Sequence, residues 1–188
     1  MKVLSMLGSP RKKGNTAKVL TWAEEEFQNL GHQVDRVNVV DYQVNGCLGC
    51  QSCQRVQDEP GCAQKDDMSA IFNKVLTADV IIFASGLFTW GIPGQFKSLF
   101  DRFFCLIKGY GSPHYKSLIQ GKKGMVIATC GGPVEGNADL LLEMYKRTSE
   151  LAQMPPMSEL VVPFCITPDS IGEETKMQVK NLVRGIAS

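Results

Sequence analysis

Apolar runs alternate with amphipathic stretches from the start of the chain. Residues 2–7 form a short, mostly apolar run that stops at Gly8, which predicts a buried β-strand. From residue 15 to residue 30 the apolar side chains recur at helical spacing, and Gly31 ends the pattern. Residues 34–40 are rich in valine and predict a second strand. The chain is therefore expected to begin as strand, helix, strand.

The same alternation continues to the end of the chain. Asp66 and Asp67 can cap a helix that runs to residue 78, and Pro93 suits the first turn of another helix. The predicted strands are residues 80–84, 125–128 and 160–164, and the further helices are residues 93–108, 138–152 and 173–186. Repeated strand–helix alternation predicts an α/β protein with a doubly wound parallel sheet and helices on both faces.

Five strands joined by right-handed crossovers leave few topologies. The flavodoxin-like strand order 2-1-3-4-5 is the expected one. In that arrangement a ligand binds beyond the carboxyl ends of the strands, near the switch point between strands 1 and 3. The chain is expected to form a single domain over residues 1–188, with a cysteine-rich insertion at about residues 41–65. A connection of that length in a compact domain is usually functional.

Composition narrows the class of partner. The 188 residues carry a net charge of +1, which gives no electrostatic case for nucleic acid or an anionic membrane as a partner. No apolar run approaches the roughly 20 residues of a membrane helix, and the opening residues do not resemble a signal peptide. Seven cysteines, four of them crowded between Cys47 and Cys62, favour metal or redox chemistry over a secreted disulfide scaffold. We therefore expect a cytoplasmic protein.

A loop between Gly8 and Thr16 joins the first strand to the first helix, where backbone N–H groups and the helix dipole favour an anion. The spacing of its glycines fits neither a Walker loop nor the Gly-x-Gly-x-x-Gly dinucleotide motif, so a monophosphate ligand is favoured. The alternative is an ordinary basic surface turn. The candidate phosphate-binding residues are Ser9, Arg11, Lys13, Gly14, Asn15 and Thr16.

This loop resembles that of the NADPH-dependent FMN reductase and iron–sulfur flavoprotein group. The similarity continues in order through Asp66-Asp67-Met68, the run Ala78-Asp79-Val80-Ile81-Ile82, and Lys97-x-x-x-Asp101-Arg102. Several weak motifs in one order are more specific than any one of them alone. The resemblance implies a flavodoxin-like fold, FMN held by its phosphate in the Gly8–Thr16 loop, and a homodimer or homotetramer.

Two further loops are expected to border the flavin. The resemblance places the loop after the third strand along the flavin ring, although Gly86 and Phe88 stand where the group usually has proline and tyrosine. The loop after the fourth strand carries glycines that permit close approach. For the aromatic residues the alternative is simple packing under a helix. The candidate residues are Leu87, Phe88, Thr89, Trp90, Gly91, Thr129, Cys130, Gly131 and Gly132.

The cysteines of the 41–65 segment have the spacing Cys-x2-Cys-x2-Cys, with Cys62 following after eight residues. Such a run can wrap an iron–sulfur cube, and the pattern resembles that of the iron–sulfur flavoproteins, although their last spacing is normally shorter. Candidate [4Fe-4S] ligands are therefore Cys47, Cys50, Cys53 and Cys62. Thiols without a cluster and a zinc site are the alternatives. Cys105 and Cys165 are expected in the core, in a helix and a strand.

The leading functional hypothesis is an FMN-dependent oxidoreductase in which the flavin carries the chemistry and no side chain need act as acid or base. NADPH or NADH is the expected donor, with ferredoxin as an alternative. The redox partner is a small molecule or a protein. Two hypotheses from other classes compete: a flavodoxin-type electron carrier without enzymatic activity, and a metal-dependent regulatory module built on the cysteines.

Overall fold

A computed structural model describes the whole chain, residues 1–188. The strands are β1 (Lys2–Leu7), β2 (Gln33–Asn38), β3 (Val80–Gly86), β4 (Ile107–Lys108), β5 (Lys116–Ser117), β6 (Lys123–Thr129) and β7 (Ser158–Val162). Five of them form one parallel sheet in the order β2-β1-β3-β6-β7. Numbered by the five strands of this sheet alone, the order is 2-1-3-4-5, so the predicted flavodoxin-like topology is confirmed.

Helices cover both faces of the sheet. They are α1 (Asn15–Asn29), α2 (Met68–Thr77), α3 (Gly94–Asp101), α4 (Asp139–Leu151) and α5 (Glu173–Ala187). The helices α1 and α5 pack on one face over an apolar cluster that includes Val3, Ile82 and Ile127. The helices α2, α3 and α4 cover the other face. None of the helices combines the length and the apolar character needed to cross a membrane.

The predicted helix at residues 93–108 is shorter in the structure. The α-helix stops at Asp101, a 3-10 turn follows over Arg102–Leu106, and Ile107–Lys108 pairs with Lys116–Ser117 in a small antiparallel hairpin. The apolar spacing continued past residue 101, which made a longer helix look plausible. The side chains of Arg102 and Lys108 instead turn to bind carbonyl groups of the cysteine-rich segment, and the backbone leaves helical geometry there.

The last strand ends earlier than the apolar run predicted. The prediction continued to residue 164, but β7 ends at Val162. Pro163 has no N–H to donate to a neighbouring strand, and Phe164 has a φ of 55°, in the left-handed region. Cys165 therefore lies in a loop, half-buried, and its predicted place in a core strand is wrong. Cys105 is buried, as expected, although it lies in the 3-10 turn rather than in an α-helix.

Candidate functional site

The Gly8–Thr16 loop is fixed at both of its ends. The Gly8 N–H donates to the Ala84 carbonyl at 2.8 Å, which holds the loop against the end of β3. The Gly14 N–H donates to the Arg11 carbonyl at 3.1 Å and closes the turn that precedes α1. Ser9, Asn15 and Thr16 are polar yet buried, whereas Arg11 and Lys13 are exposed. Buried polar side chains at a helix start are typical of an anion site.

Several hydrogen-bonding groups of this loop have no partner within the chain. The N–H groups of Asn15, Thr16 and Ala17 begin α1 and have no acceptor, because Gly14 supplies no side-chain cap. Asn15 donates through Nδ2 to the Cys165 carbonyl at 2.8 Å, but its Oδ1 is buried without a donor. Buried polar groups are normally paired. The loop therefore offers three donors suited to an anion and one acceptor suited to a hydroxyl group.

Gly8 is required by the close approach of an aromatic ring. A Cβ atom built at Gly8 would lie 2.0 Å from Cδ1 of Phe96, far inside van der Waals contact. Phe96 is on α3 and is fully buried, so its ring cannot swing away. The absence of a side chain at residue 8 lets the loop lie flat against α3 and keeps the donors of α1 open to a ligand.

The two other predicted loops meet the first one at the same edge of the sheet. Thr16 Oγ1 and Thr129 Oγ1 share a buried hydrogen bond of 2.7 Å. The Leu87 N–H donates to the Thr129 carbonyl at 2.9 Å, which joins the loop after β3 to the loop after β6. Cys130 donates its N–H to the Val162 carbonyl at 3.0 Å. The structure thus brings the three candidate loops together, as parallel strands require.

The loop after β3 folds into a tight turn that exposes two aromatic side chains. The Phe88 and Gly91 backbones exchange two hydrogen bonds of 3.0 Å each, while Thr89 and Trp90 have φ values of 46° and 58°. Two consecutive positive φ values define the two-residue hairpin turn that usually carries Asn-Gly. A β-branched residue in this region is strained. The turn presents Phe88 and Trp90 to solvent, 45% and 57% exposed, at the ligand edge.

We expect Thr89→Asn to stabilise the protein by about 1 kcal/mol, because asparagine tolerates the left-handed region far better than threonine does. For a chain of this size the melting temperature should rise by about 2–4 °C. Differential scanning calorimetry measures the change. Thr167→Asn is the matched control, since Thr167 is exposed and extended, with a φ of −131°. A lower melting temperature for Thr89→Asn alone would show that the turn holds no strain.

Sequence reasoning missed two residues at this edge. Phe164 is 62% exposed beside Gly132, whose carbonyl accepts its N–H at 3.4 Å. Cys165 reaches the phosphate loop through its carbonyl, which accepts the bond from Asn15. The early end of β7 brings both residues to the site. Pro163 was the available signal, because proline commonly ends a paired strand.

The four predicted cluster ligands are not gathered into one site. Cys47 and Cys50 are exposed, Cys53 is buried and Cys62 is half-buried. No three histidine, cysteine, aspartate or glutamate side chains lie in an arrangement that could hold a metal ion. The positions of the four cysteines do not by themselves form a cluster site, and the predicted ligand set stays a prediction. Cys105 lies beside Cys53 and Cys62, and burial together with these two thiols raises the pKa of its own thiol.

Two buried cations attach the cysteine-rich segment (residues 41–65) to the turn after α3. Arg102 donates to the Asn45 carbonyl at 3.0 Å and forms a two-bond ion pair with Asp66 at 2.9 and 3.1 Å. Lys108 is fully buried and donates to the Cys53 and Pro60 carbonyls at 2.9 and 3.1 Å. Burial lowers the pKa of Lys108. These contacts hold the ends and the middle of the segment in place.

An apolar cavity of about 270 Å³ lies beneath the carboxyl end of α4, lined by residues such as Phe103, Ile119 and Met154. Its polar side chains are already paired, because Asp101 binds Lys97 and Thr148 binds the Met144 carbonyl. Lys97 and Asp101 lie one helical turn apart on α3 and form a partly exposed ion pair. With no free polar group to orient a reactant, this cavity is a poorer candidate than the loop edge.

The fold and the three joined loops define a class of protein: a flavodoxin-like α/β protein whose strand-to-helix loop at the switch point has hydrogen-bond donors free for an anion. A family model described as NADPH-dependent FMN reductase matches residues 1–164. The chain therefore belongs to the NADPH-dependent FMN reductase family. The resemblance seen in the sequence is confirmed, and so is the predicted class of FMN-dependent oxidoreductase.

Known proteins agree with this assignment. An iron–sulfur flavoprotein of Archaeoglobus fulgidus is 29% identical over 187 residues, which span 100% of this chain and 79% of that protein. An FMN-dependent NADH-azoreductase from Bacillus anthracis, solved with FMN, superposes with a TM-score of 0.77 at 15% identity, with 100% of both chains covered. An NAD(P)H:quinone oxidoreductase from Methanothermobacter marburgensis has a TM-score of 0.76 at 18% identity, covering 100% of this chain and 96% of that one. These two structural likenesses bear on the fold.

The hydrogen-bonding groups of the Gly8–Thr16 loop that have no partner within the chain fit FMN. The three free N–H groups of α1 suit a phosphate, which accepts hydrogen bonds and favours the positive end of a helix dipole. The buried Oδ1 of Asn15 needs a donor, and the ribityl hydroxyls of FMN are donors. The buried hydroxyls of Ser9 and Thr16 add polar groups to the same loop.

Proposed function

We propose that this chain binds FMN by its phosphate at the Gly8–Thr16 loop. It oxidises NADPH or NADH and passes the electrons to a small-molecule acceptor. The observation that carries the proposal is the set of unpartnered groups at Asn15, Thr16 and Ala17, buried at the ligand edge of the sheet. Family membership supports FMN as the ligand. Bound FMN would supply the hydride-accepting chemistry that protein side chains lack.

The residues of the chain would bind and orient the cofactor. Ser9, Asn15 and Thr16 would hold the phosphate end, with the field of Lys13 and Arg11 around it. The backbone of the turn at residues 87–91 and the loop at residues 129–132 would border the ring. Phe88 and Trp90 are exposed at this edge and offer apolar faces on which a flat acceptor can stack.

The names of similar proteins support the choice of substrates. The azoreductase uses NADH and the quinone oxidoreductase uses NAD(P)H, as their names state. The family favours an enzyme over the flavodoxin-type carrier, and a net charge of +1 supplies no acidic docking face. A cytoplasmic location, a homodimer or homotetramer, and a single domain with an insertion at residues 41–65 belong to the same proposal.

Reconstitution with FMN tests the proposal directly. The purified full-length protein should bind FMN and oxidise NADPH or NADH when a quinone or an azo dye is added, measured by the loss of nicotinamide absorbance. Iron and sulfide analysis of the same anaerobic sample tests the predicted cluster separately. A colourless protein that cannot be loaded with FMN would overturn the main proposal.

We expect Asn15→Ala to weaken FMN binding about tenfold, the effect of one lost hydrogen bond to a bound ligand. The free energy of unfolding of the apo protein should change by no more than about 1 kcal/mol. The substitution removes the hydrogen bond from Asn15 Nδ2 to the Cys165 carbonyl, which destabilises the fold, but it also removes the buried unpaired Oδ1, which stabilises it. Fluorescence titration with FMN measures the dissociation constant.

Asn29→Ala is the matched control, since Asn29 lies at the exposed far end of the same helix. Its FMN dissociation constant should equal that of the unmodified protein. If Asn15→Ala binds FMN as tightly as this control does, the unpaired Oδ1 does not face the ligand.

A further inference from the structure

Two cysteines lie side by side at the ligand edge of the sheet. Cys130 follows β6 and Cys165 follows β7, which are neighbouring parallel strands. The Cys165 N–H donates to the Cys130 carbonyl at 2.9 Å. Backbones joined by such a bond place their Cα atoms about 5 Å apart. That separation falls within the range of about 4.4–6.8 Å that a disulfide spans.

The two side chains are also close. The Cys165 thiol donates to the Val162 carbonyl at 3.0 Å, and the same carbonyl accepts the Cys130 N–H at 3.0 Å. Burial and, after it, the nearby Cys130 thiol raise the pKa of the Cys165 thiol, which places the two sulfurs near each other. The Cys130 thiol donates to the Gly132 carbonyl at 3.3 Å. Thiols are weak donors, so little is lost when either sulfur turns away from its carbonyl.

The two cysteines differ in their exposure to solvent. Cys165 is half-buried, whereas Cys130 is 5% exposed. Burial raises the pKa of both thiols. Protonated thiols react slowly with peroxide, so the pair is expected to close slowly. The more exposed Cys165 is the one that a small oxidant meets first.

We propose that Cys130 and Cys165 are a redox-active pair that a peroxide closes to a disulfide and a dithiol reopens. The peroxide oxidises the Cys165 thiol to a sulfenic acid and leaves as one water. The Cys130 sulfur then attacks the Cys165 sulfur, and the hydroxyl leaves as a second water with the remaining proton. The two thiols lose two electrons and two protons in total, and both electrons reduce the O–O bond.

Formation of the Cys130–Cys165 disulfide changes the geometry of the Gly8–Thr16 loop. The Cys165 carbonyl accepts the bond from Asn15 Nδ2, so drawing Cys165 towards Cys130 disturbs the position of Asn15. The disulfide therefore weakens FMN binding by about tenfold, the effect of one misplaced hydrogen bond. This second step rests on the proposed function, whereas formation of the disulfide does not.

Peptide mapping tests the disulfide on the full-length protein without FMN. The protein is treated with hydrogen peroxide, its free thiols are alkylated, and it is digested with trypsin under non-reducing conditions. Cleavage after Lys123, Lys146, Arg147 and Lys176 leaves Cys130 and Cys165 each alone in its own peptide. Mass spectrometry should find these two peptides joined, and separated again after dithiothreitol.

Matched variants decide between a specific pair and general oxidation. Cys105→Ser should keep the cross-link, and Cys165→Ser or Cys165→Ala should abolish it. Sulfinic or sulfonic acid at Cys165 without a joined peptide would overturn the proposal. So would a joined peptide formed equally in urea-unfolded protein, because the folded proximity would then contribute nothing.

FMN titration of oxidised and reduced protein tests the second step. The oxidised protein should have a dissociation constant about tenfold higher than the reduced protein, and oxidised Cys165→Ala should show no such change. Equal affinities in the presence of a proven cross-link would overturn the link to FMN. A reduced protein that binds no FMN would instead contradict the proposed function and leave the cross-link result standing.

Discussion

Arg102→Met is expected to destabilise the fold by about 3–5 kcal/mol, the usual effect of removing one partner from a buried ion pair. The side chains of Arg102 and Asp66 are 1% and 5% exposed, so the carboxylate left behind has little access to water. The Asn45 carbonyl also loses its donor. Urea unfolding followed by circular dichroism measures the loss, and the melting temperature should fall by about 6–20 °C.

A matched control separates the buried pair from arginine removal in general. Arg147 pairs with Glu143 one turn along α4, but its side chain is 76% exposed. Arg147→Met should change the free energy of unfolding by less than about 1 kcal/mol. Equal effects at Arg102 and Arg147 would contradict the assignment of Arg102 as the anchor of the cysteine-rich segment.

The buried pair also gives a pH dependence with a definite sign. Burial acts to raise the pKa of Asp66, but the Arg102 guanidinium and the N–H groups of Asn45 and Met68 outweigh it and hold that pKa below its ordinary value. A lowered folded-state pKa adds stability that is fully present above the unfolded value of about 3.9 and is lost as the pH falls through the folded value. The stability gap between the unmodified protein and Arg102→Met should therefore narrow below about pH 4.

The elements that sequence reasoning predicted well are those with strong local signals. The bounds of β1 were predicted without error, and α1 was one residue shorter than expected, because Gly31 stops it with a φ of 80°. Both faces of the central strands are buried, which gives the continuous apolar runs of a parallel sheet. The strand order followed from the handedness of the crossovers rather than from any single residue.

The features that escaped prediction depend on contacts between distant parts of the chain. The end of α3 at Asp101 is set by the bonds that Arg102 and Lys108 make to residues 45, 53 and 60. The approach of Cys105 to Cys53 has the same origin. Neither the end of α3 nor the approach of Cys105 to Cys53 is indicated by hydrophobic periodicity, because the residues in contact lie more than forty positions apart in the sequence. Local propensity was overridden by tertiary contacts.

The candidate phosphate loop could be predicted because its chemistry is local. The glycines, the hydroxyls and the start of α1 all fall within nine residues, from Gly8 to Thr16. The need for glycine at residue 8, in contrast, comes from Phe96 on a distant helix. Cys165 joined the site only because β7 ends at Val162. The sequence therefore indicated the donors of the loop, while the structure shows what shapes it.

Gly8→Ala is expected to destabilise the protein by about 3 kcal/mol and to weaken FMN binding at least ~100-fold. The added methyl group would lie 2.0 Å from the buried Phe96 ring, so either the ring or the loop must move. The bond from the Gly8 N–H to the Ala84 carbonyl holds the loop on the sheet, and movement of the loop misplaces the donors of α1. Urea unfolding and FMN titration measure the two effects.

A second substitution shows whether the clash with Phe96 is the cause. Phe96→Leu in the Gly8→Ala background makes room for the methyl group and should recover most of the FMN affinity, although each change alone is harmful. Gly185→Ala is the matched control, because no atom lies within 4 Å of its added Cβ and the residue is inside α5. That control should bind FMN normally and gain up to about 1 kcal/mol of stability. If Gly8→Ala bound FMN like Gly185→Ala, the phosphate would not lie over this loop, because no other feature of the site needs glycine at residue 8.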